Sequence, residues 1–198
     1  MNQLAQKGDF LDILLRSKKT VFSVRDAALL WGDSNIGAIK VRFHSYVKNK
    51  KLIRLRQGVY VKDLDYDKYE LATHILRPSY VSFETVLIKA GINFQYYSQI
   101  FAASYTKREI ICDGTMYKFF AIKRSVLINP AGIDQRGEYS IATPERAFLD
   151  TIYRSKDYHF DNMEPLSWEK VFDILPIYEN KKMNKKVDQY YKWHKSEQ

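Results

Sequence analysis

Between Ser23 and Lys48 two amphipathic helices are separated by a turn too short for them to run antiparallel. Ser23 reads as an N-cap, with Asp26 three residues on as an acidic version of the capping box. Val24, Ala27, Ala28, Leu29 and Trp31 are the apolar residues of the first helix, and Gly32 ends it. Asp33 or Ser34 then recaps the chain, so the helix at about Asn35–Lys48 must cross the first steeply, as in a helix-turn-helix. An earlier helix over Gln3–Arg16 is expected from Leu4, Phe10, Leu11, Ile13 and Leu14, and a short strand at Thr20–Phe22.

In the second helix Ile36, Ile39, Phe43, Tyr46 and Val47 recur at spacings of three and four and form the buried face. Its opposite face is Ser34, Gly37, Ala38, Val41, Ser45 and Lys48, flanked by Lys40, His44 and Arg42. Leu52–Val61 then reads as a hairpin. A three-residue loop at Arg56, Gln57 and Gly58 pairs Leu55 with Val59 and Ile53 with Val61. It sends Arg54 and Tyr60 outward together. Helix, tight turn, helix and basic hairpin within so short a stretch predict a winged helix-turn-helix that binds DNA. The expected contact residues are Ser34, Lys40, Arg42, Ser45, Lys48, Arg54, Arg56, Gln57 and Tyr60.

Charge agrees with that reading. The 198-residue chain has a formal charge of +9, and residues 1–62 carry thirteen Lys/Arg against four Asp/Glu, which is the whole excess. A cationic module joined to a neutral remainder points to a polyanion met by one part of the molecule. The division is therefore expected at Lys62, with an α+β domain over residues 63–198.

That second part is read from local signals. Tyr66–Leu76 is an expected helix, Tyr80–Ser82 an extended segment, and Ser82 the cap of a helix over Phe83–Ala90. Asp113-Gly114 joins Glu109–Cys112 to Thr115–Ile122 in a hairpin that sets Glu109 opposite Lys118. Thr143-Pro144-Glu145 opens a further helix, and two more follow around Trp168–Tyr178 and Val187–His194. The expected layout is α+β and mostly local.

The signals for chemistry are few. There is no phosphate-cradling glycine loop, nucleophile elbow or His-Glu-x-x-His, so no catalytic residue is assigned. The lone Cys112 and four scattered His give no metal-ligand spacing, and neither metal nor cofactor is expected. His74 reads as a core or boundary residue and Cys112 as a small buried hydrophobe. The nearest nuclease pattern is Glu179-Asn180-Lys181 with Asp161 or Asp173, on segments that read as helix or tail rather than a strand pair. Ala90–Thr106 is broken by Asn93, Gln95, Ser98 and Gln99 and is not a membrane span. Met1–Asp9 lacks the pattern of a signal peptide, so a cytoplasmic location is expected.

Three stretches carry a resemblance. They are Leu52–Val61, the junction Arg77–Thr85 (Arg-Pro-Ser-Tyr-Val-Ser-Phe-Glu-Thr), and Ile141–Asp150 (Ile-Ala-Thr-Pro-Glu-Arg-Ala-Phe-Leu-Asp). In this order, across about Phe10–Tyr153, the chain resembles the AbiEi antitoxin family of bacterial abortive-infection (type IV) toxin–antitoxin systems. The resemblance implies a winged helix that binds inverted repeats at its own promoter and represses the operon. It also implies a C-terminal domain that counters a nucleotidyltransferase-like toxin without a stable complex. Lys107, Arg108, Lys118, Lys123 and Arg124, clustered around the hairpin, are the candidate antitoxin face. The alternatives are a stand-alone regulator with a ligand-sensing or dimerising second domain, and a metal-dependent nuclease targeted by the winged helix.

Overall fold

The computed structural model describes residues 9–155 and 157–196, and the expected helical residues Gln3–Gly8 lie outside them. The fold is mixed α+β with two sheets. It divides into two compact units, Met1–Ile75 and Leu76–Gln198.

The first unit is built on apolar periodicity. Helices α1 (Asp9–Arg16), α2 (Val24–Trp31) and α3 (Ile36–Lys48) enclose Phe10, Leu14, Ala27, Trp31, Ile39 and Phe43 with Phe22 and Leu52. Ring edges lock this core, with Phe10 and Trp31 centroids 4.9 Å apart and Trp31 and Phe43 5.8 Å apart. The Trp31 indole donates to the Phe10 carbonyl at 2.8 Å, which satisfies its one polar atom. The Ser23–Asp26 capping box opens α2, and Gly32 at φ 63° closes it. Asn35, rather than Asp33 or Ser34, caps α3, its side chain accepting from the Ala38 amide at 3.0 Å. Asp33 supports the turn by accepting from the Asn35 amide at 2.8 Å.

A three-stranded sheet completes the unit in the order β1 (Val21–Phe22), β3 (Val59–Val61), β2 (Ile53–Arg56). Ile53 pairs with Val61 and Arg54 with Tyr60, as expected, but Arg56 faces Val59. The loop is thus the two-residue Gln57-Gly58 turn. Leu55 is the extra residue of a bulge, and it restores the register that a plain two-residue loop would have lost. Gly58 takes φ +79°, where a side chain would be strained. Tyr60 departs from expectation: its ring meets Phe43 edge-on at 4.6 Å and is half-buried against the core. The cause is Phe43 of α3 and the cluster around it, while α4 (Lys68–Ile75) packs on β1. The amide and hydroxyl of Thr20 donate to the Glu70 carboxylate at 2.9 and 2.6 Å. His74, as expected, is enclosed, 3.3 Å from Asp26. The division therefore falls at Ile75, beyond the charge boundary at Lys62.

The second unit is a six-stranded mixed sheet, β6-β7-β5-β4-β9-β8, with helices packed on α7. Its strands are β4 (Ser79–Val81), β5 (Ile100–Ser104), β6 (Arg108–Cys112), β7 (Thr115–Ala121), β8 (Ile133–Arg136) and β9 (Tyr139–Ala142). Its helices are α5 (Glu84–Lys89), α6 (Arg124–Leu127), α7 (Pro144–Arg154), α8 (Trp168–Ile174) and α9 (Lys181–Ser196), with a 3-10 turn at Leu175–Tyr178. The β6–β7 hairpin keeps the expected register, Glu109 opposite Lys118, and Cys112 is buried. The layout is not mostly local, because β5 pairs with β7 and β4 with β9 in parallel. Parallel neighbours need crossover connections, so β4 meets a strand far along the chain.

Helix α7 holds the unit together through two residues one turn apart. Arg146 is fully buried and all five of its N–H groups have acceptors. Nε reaches Asp150 at 3.2 Å, Nη1 the carbonyls of Ala131 (2.7 Å) and Asn129 (3.5 Å), and Nη2 Val126 O (2.7 Å) and the Tyr80 hydroxyl (2.8 Å). Asp150 also accepts from Tyr178 at 2.6 Å, Tyr80 at 2.9 Å and Ser82 at 2.8 Å. Ser82 is thus not the expected helix cap; its hydroxyl belongs to this carboxylate, and Phe83 precedes α5 at φ 57° with no side-chain cap. Gly132 is required where α7 passes it. At φ +69° an added Cβ would lie 2.8 Å from the Arg146 Cβ and 2.7 Å from Ile174 Cδ1.

Burial, then the Asp150 charge, pushes the Tyr80 and Tyr178 hydroxyls well above the ordinary tyrosine range. The unfolded chain releases these protons near pH 10 while the native unit keeps them. Stability is therefore present below about pH 10 and falls as pH rises past it. Urea unfolding followed at Trp168 should show that decline, shallower in Tyr178→Phe. Arg146→Met strands the Asp150 charge and should cost about 3–5 kcal/mol at neutral pH. Arg146→Met combined with Asp150→Leu should recover much of the loss.

Candidate nucleic-acid interface

Helix α3 presents one face to the core and the other to solvent. Ile39 and Phe43 are buried, with Tyr46 and Val47 half-buried against the same cluster. Gly37, Lys40, Val41, His44, Ser45 and Lys48 are exposed, and Val41 stands 70% open although it is apolar. Small residues at Gly37 and Ser45 allow close approach, Val41 offers a methyl surface, and Lys40 and Lys48 supply charge. Neither lysine is paired with a carboxylate among the described residues, so both are available to an anion.

Arg42 is arranged differently from the expectation. Its Nη1 lies 2.9 Å from Asp33 Oδ2, and its guanidinium stacks 4.3 Å from the Phe10 ring centroid. It ties α3 to the turn before it and to α1. Hydrogen bonds from the Asn35 amide and then from Arg42 hold the Asp33 carboxyl below its usual range. The solvent face of α3 is therefore turned toward Lys40 and His44. His44, seen from the sequence only as a flank, belongs to its middle.

The hairpin divides its cations in the same way. Arg54 is exposed on β2, its Nε donating to the Arg56 carbonyl at 3.4 Å, and Gln57 is exposed at the tip. Arg56 is half-buried with Nη1 enclosed. Tyr60 is turned to the core and contributes a ring edge rather than an outward hydroxyl face. Ser34 is exposed in the turn before α3. Lys50 and Lys51, which join α3 to β2, are exposed as well. Their place between the two expected elements is the signal that would have included them.

The residues of the candidate antitoxin face are only partly unengaged. Lys118 lies 3.5 Å from Glu109 across the hairpin, and Lys123 lies 2.7 Å from Glu179. Lys107 and Arg108 are exposed beside and on the edge strand β6, and Arg124 is exposed at the start of α6. Two carboxylates of the nuclease pattern have other partners: Glu179 has Lys123, and Asp161 accepts from the Phe94 amide at 2.8 Å. Among the described residues no group of three or more His, Cys, Asp or Glu is arranged to hold a metal ion. No helix of the described residues is long and apolar enough to cross a membrane.

No family model matches the chain, and neither does any curated protein.

Because Arg42 is built into the fold, Arg42→Ala should lower the stability of the first unit by about 1 kcal/mol through lost ion-pair and ring contacts. Lys40→Gln should leave it unchanged. Denaturation followed by Trp31 fluorescence separates the two.

Proposed function

We propose that residues 1–75 form a winged helix-turn-helix that binds double-stranded DNA, with α3 as the recognition helix and the β2–β3 hairpin as the wing. The observation that carries this reading is the solvent face of α3, where small, methyl-bearing and cationic side chains alternate without a paired acid. Such a face suits the major groove. Lys40 and Lys48 neutralise phosphates, Ser45 reaches a base edge and Val41 packs on a thymine methyl. Arg54 adds a phosphate contact from the wing and Gln57 a polar one. Ser34 sits where the helix approaches the backbone. Arg42 and Tyr60 position these elements from within, and Arg56, half-buried at the end of β2, keeps part of its guanidinium for the wing's phosphate contact.

The larger role follows from the resemblance to AbiEi antitoxins. In this reading the protein is a cytoplasmic autorepressor that binds inverted repeats upstream of its own gene. Its second unit counters a nucleotidyltransferase-like toxin without forming a lasting complex. It is not an enzyme and uses no cofactor.

The test uses the full chain, its promoter duplex and a scrambled duplex, with binding measured by fluorescence anisotropy across a salt series. The combined variant Lys40→Gln, Lys48→Gln, Arg54→Gln should lower the salt slope on both duplexes by about three. Ser45→Ala should cost about 1–3 kcal/mol on the promoter alone. Equal affinity for promoter and scrambled DNA, or a salt slope untouched by the charge variant, overturns the DNA reading. Co-expression with the product of an adjacent nucleotidyltransferase-like gene tests the antitoxin half, and failure to restore growth overturns it.

A further inference from the structure

Helix α9 carries the positive charge of the second unit. It holds six Lys against one acid, Asp188, whereas residues 76–180 sum to −1. Asn180 opens it by accepting from the Lys182 and Met183 amides at 3.1 and 3.2 Å. Met183, Val187, Tyr190 and His194 are buried, at spacings of four, three and four, and form one stripe. With 3.6 residues per turn, Lys181, Lys185 and Lys192 fall at the centre of the opposite face, with Lys182 and Lys195 on its flanks. All five are exposed. Lys186, nearer the buried stripe, lies 3.6 Å from Asp157. None of the three central lysines is paired with a carboxylate among the described residues.

The rest of that face narrows the partner. Asn184, Asp188 and Gln189 lie between the lysines and are polar. The apolar stripe an amphipathic helix needs to enter a lipid surface is already buried in the unit. Trp193 lies about a quarter turn round the helix from Lys192, at the edge of the lysine face, 50% exposed, its ring 6.4 Å from that of His159. Helical rise spaces Lys181, Lys185 and Lys192 by about 6 and about 10 Å along the axis. A row of cations that tracks a phosphate backbone, next to an open indole on which a base can stack, is the minimal site for an unpaired strand. A duplex keeps its base faces inside and gives Trp193 nothing to stack on.

We propose that the solvent face of α9, with Lys181, Lys185, Lys192 and Trp193, is a binding site for single-stranded nucleic acid. It is independent of the duplex contact assigned to residues 1–75. The lysines hold successive phosphates and Trp193 stacks on one base.

The experiment titrates the full chain with a thymidine oligomer and a uridine oligomer, which have no self-pairing, and follows anisotropy and tryptophan emission across a salt series. Both oligomers should bind, and a difference between them would identify whether DNA or RNA is the preferred source of the strand. Emission should be quenched in the parent and not in Trp193→Phe. The triple variant Lys181→Gln, Lys185→Gln, Lys192→Gln should lose roughly tenfold or more in affinity and about two units of salt slope. The corresponding triple Lys→Arg variant should retain both. Substitutions at Lys40, Lys48 and Arg54 should leave the quench intact, so a failure of the duplex reading is distinguishable from a failure here. Unchanged affinity and slope in the triple glutamine variant overturn the proposal. So does Trp193 emission that does not move at saturation, or an acidic peptide that binds α9 in preference to either oligomer.

Discussion

The second unit depends on a buried guanidinium whose every hydrogen has a destination. Arg146 gathers the carbonyls of Val126, Asn129 and Ala131, so it fixes the segment between α6 and β8 against α7. Through Tyr80 and Ser82 the same network reaches β4, and through Tyr178 it reaches the turn before α9. Replacing such a pair by well-packed apolar groups is often harmless to stability, whereas half of it is ruinous. Its physical role is thus to specify which elements meet. Gly132 serves the same end, since any side chain there would push Arg146 away.

This arrangement changes the meaning of the family-like stretches. Arg77–Thr85 contributes Tyr80 and Ser82, and Ile141–Asp150 contributes Arg146 and Asp150, so two sequence motifs are two halves of one scaffold. Polar residues in a motif invite a functional interpretation, and here their polar atoms face each other. The surface that can meet a partner lies elsewhere, on side chains the scaffold leaves open.

Local chemistry made much of the fold readable. The Ser23 capping box, the Gly32 terminus, the Asp113-Gly114 hairpin with Glu109 opposite Lys118, and the Thr143-Pro144 helix start each involve residues a few positions apart. What escaped reading was non-local. β5 is buried along its whole length, so Ile100–Ser104 shows no alternation and looks like an uncharged stretch. β8 is largely exposed and equally without period. Tyr60 alternates correctly along its strand, yet no pattern within the hairpin reports that Phe43 of α3 meets its ring. Of the candidate site, the solvent face of α3 was legible because helical period fixes it. The inward turn of Arg42 and Tyr60 was not, because it is decided by Asp33, Phe10 and Phe43 acting from other elements.

Net charge by itself therefore overstates what a module can offer to an anion. At the structural division the first unit carries fourteen Lys/Arg against eight Asp/Glu, and several acids that dilute it lie in residues 63–70, downstream of the β2–β3 hairpin. The kind of cation matters as much as the number. Arg42, Arg146 and Arg154 use planar guanidinium groups inside the fold: Arg154 stacks 4.0 Å from the Phe120 ring centroid while pairing with Glu84 at 2.7 Å. A guanidinium tolerates such sites because it is weakly hydrated and can stack and bond in its own plane at once. An ammonium holds its water more tightly, and Lys40, Lys48 and the central lysines of α9 stay at the surface. Lys62 is the exception that fits the rule. Half-buried beside Phe22, it donates to the Leu15 and Ser17 carbonyls in place of water, and partial burial still pulls its pKa below the usual value. The cations free to bind are the ones the fold has no use for, and they are found by geometry after the structural ones have been set aside.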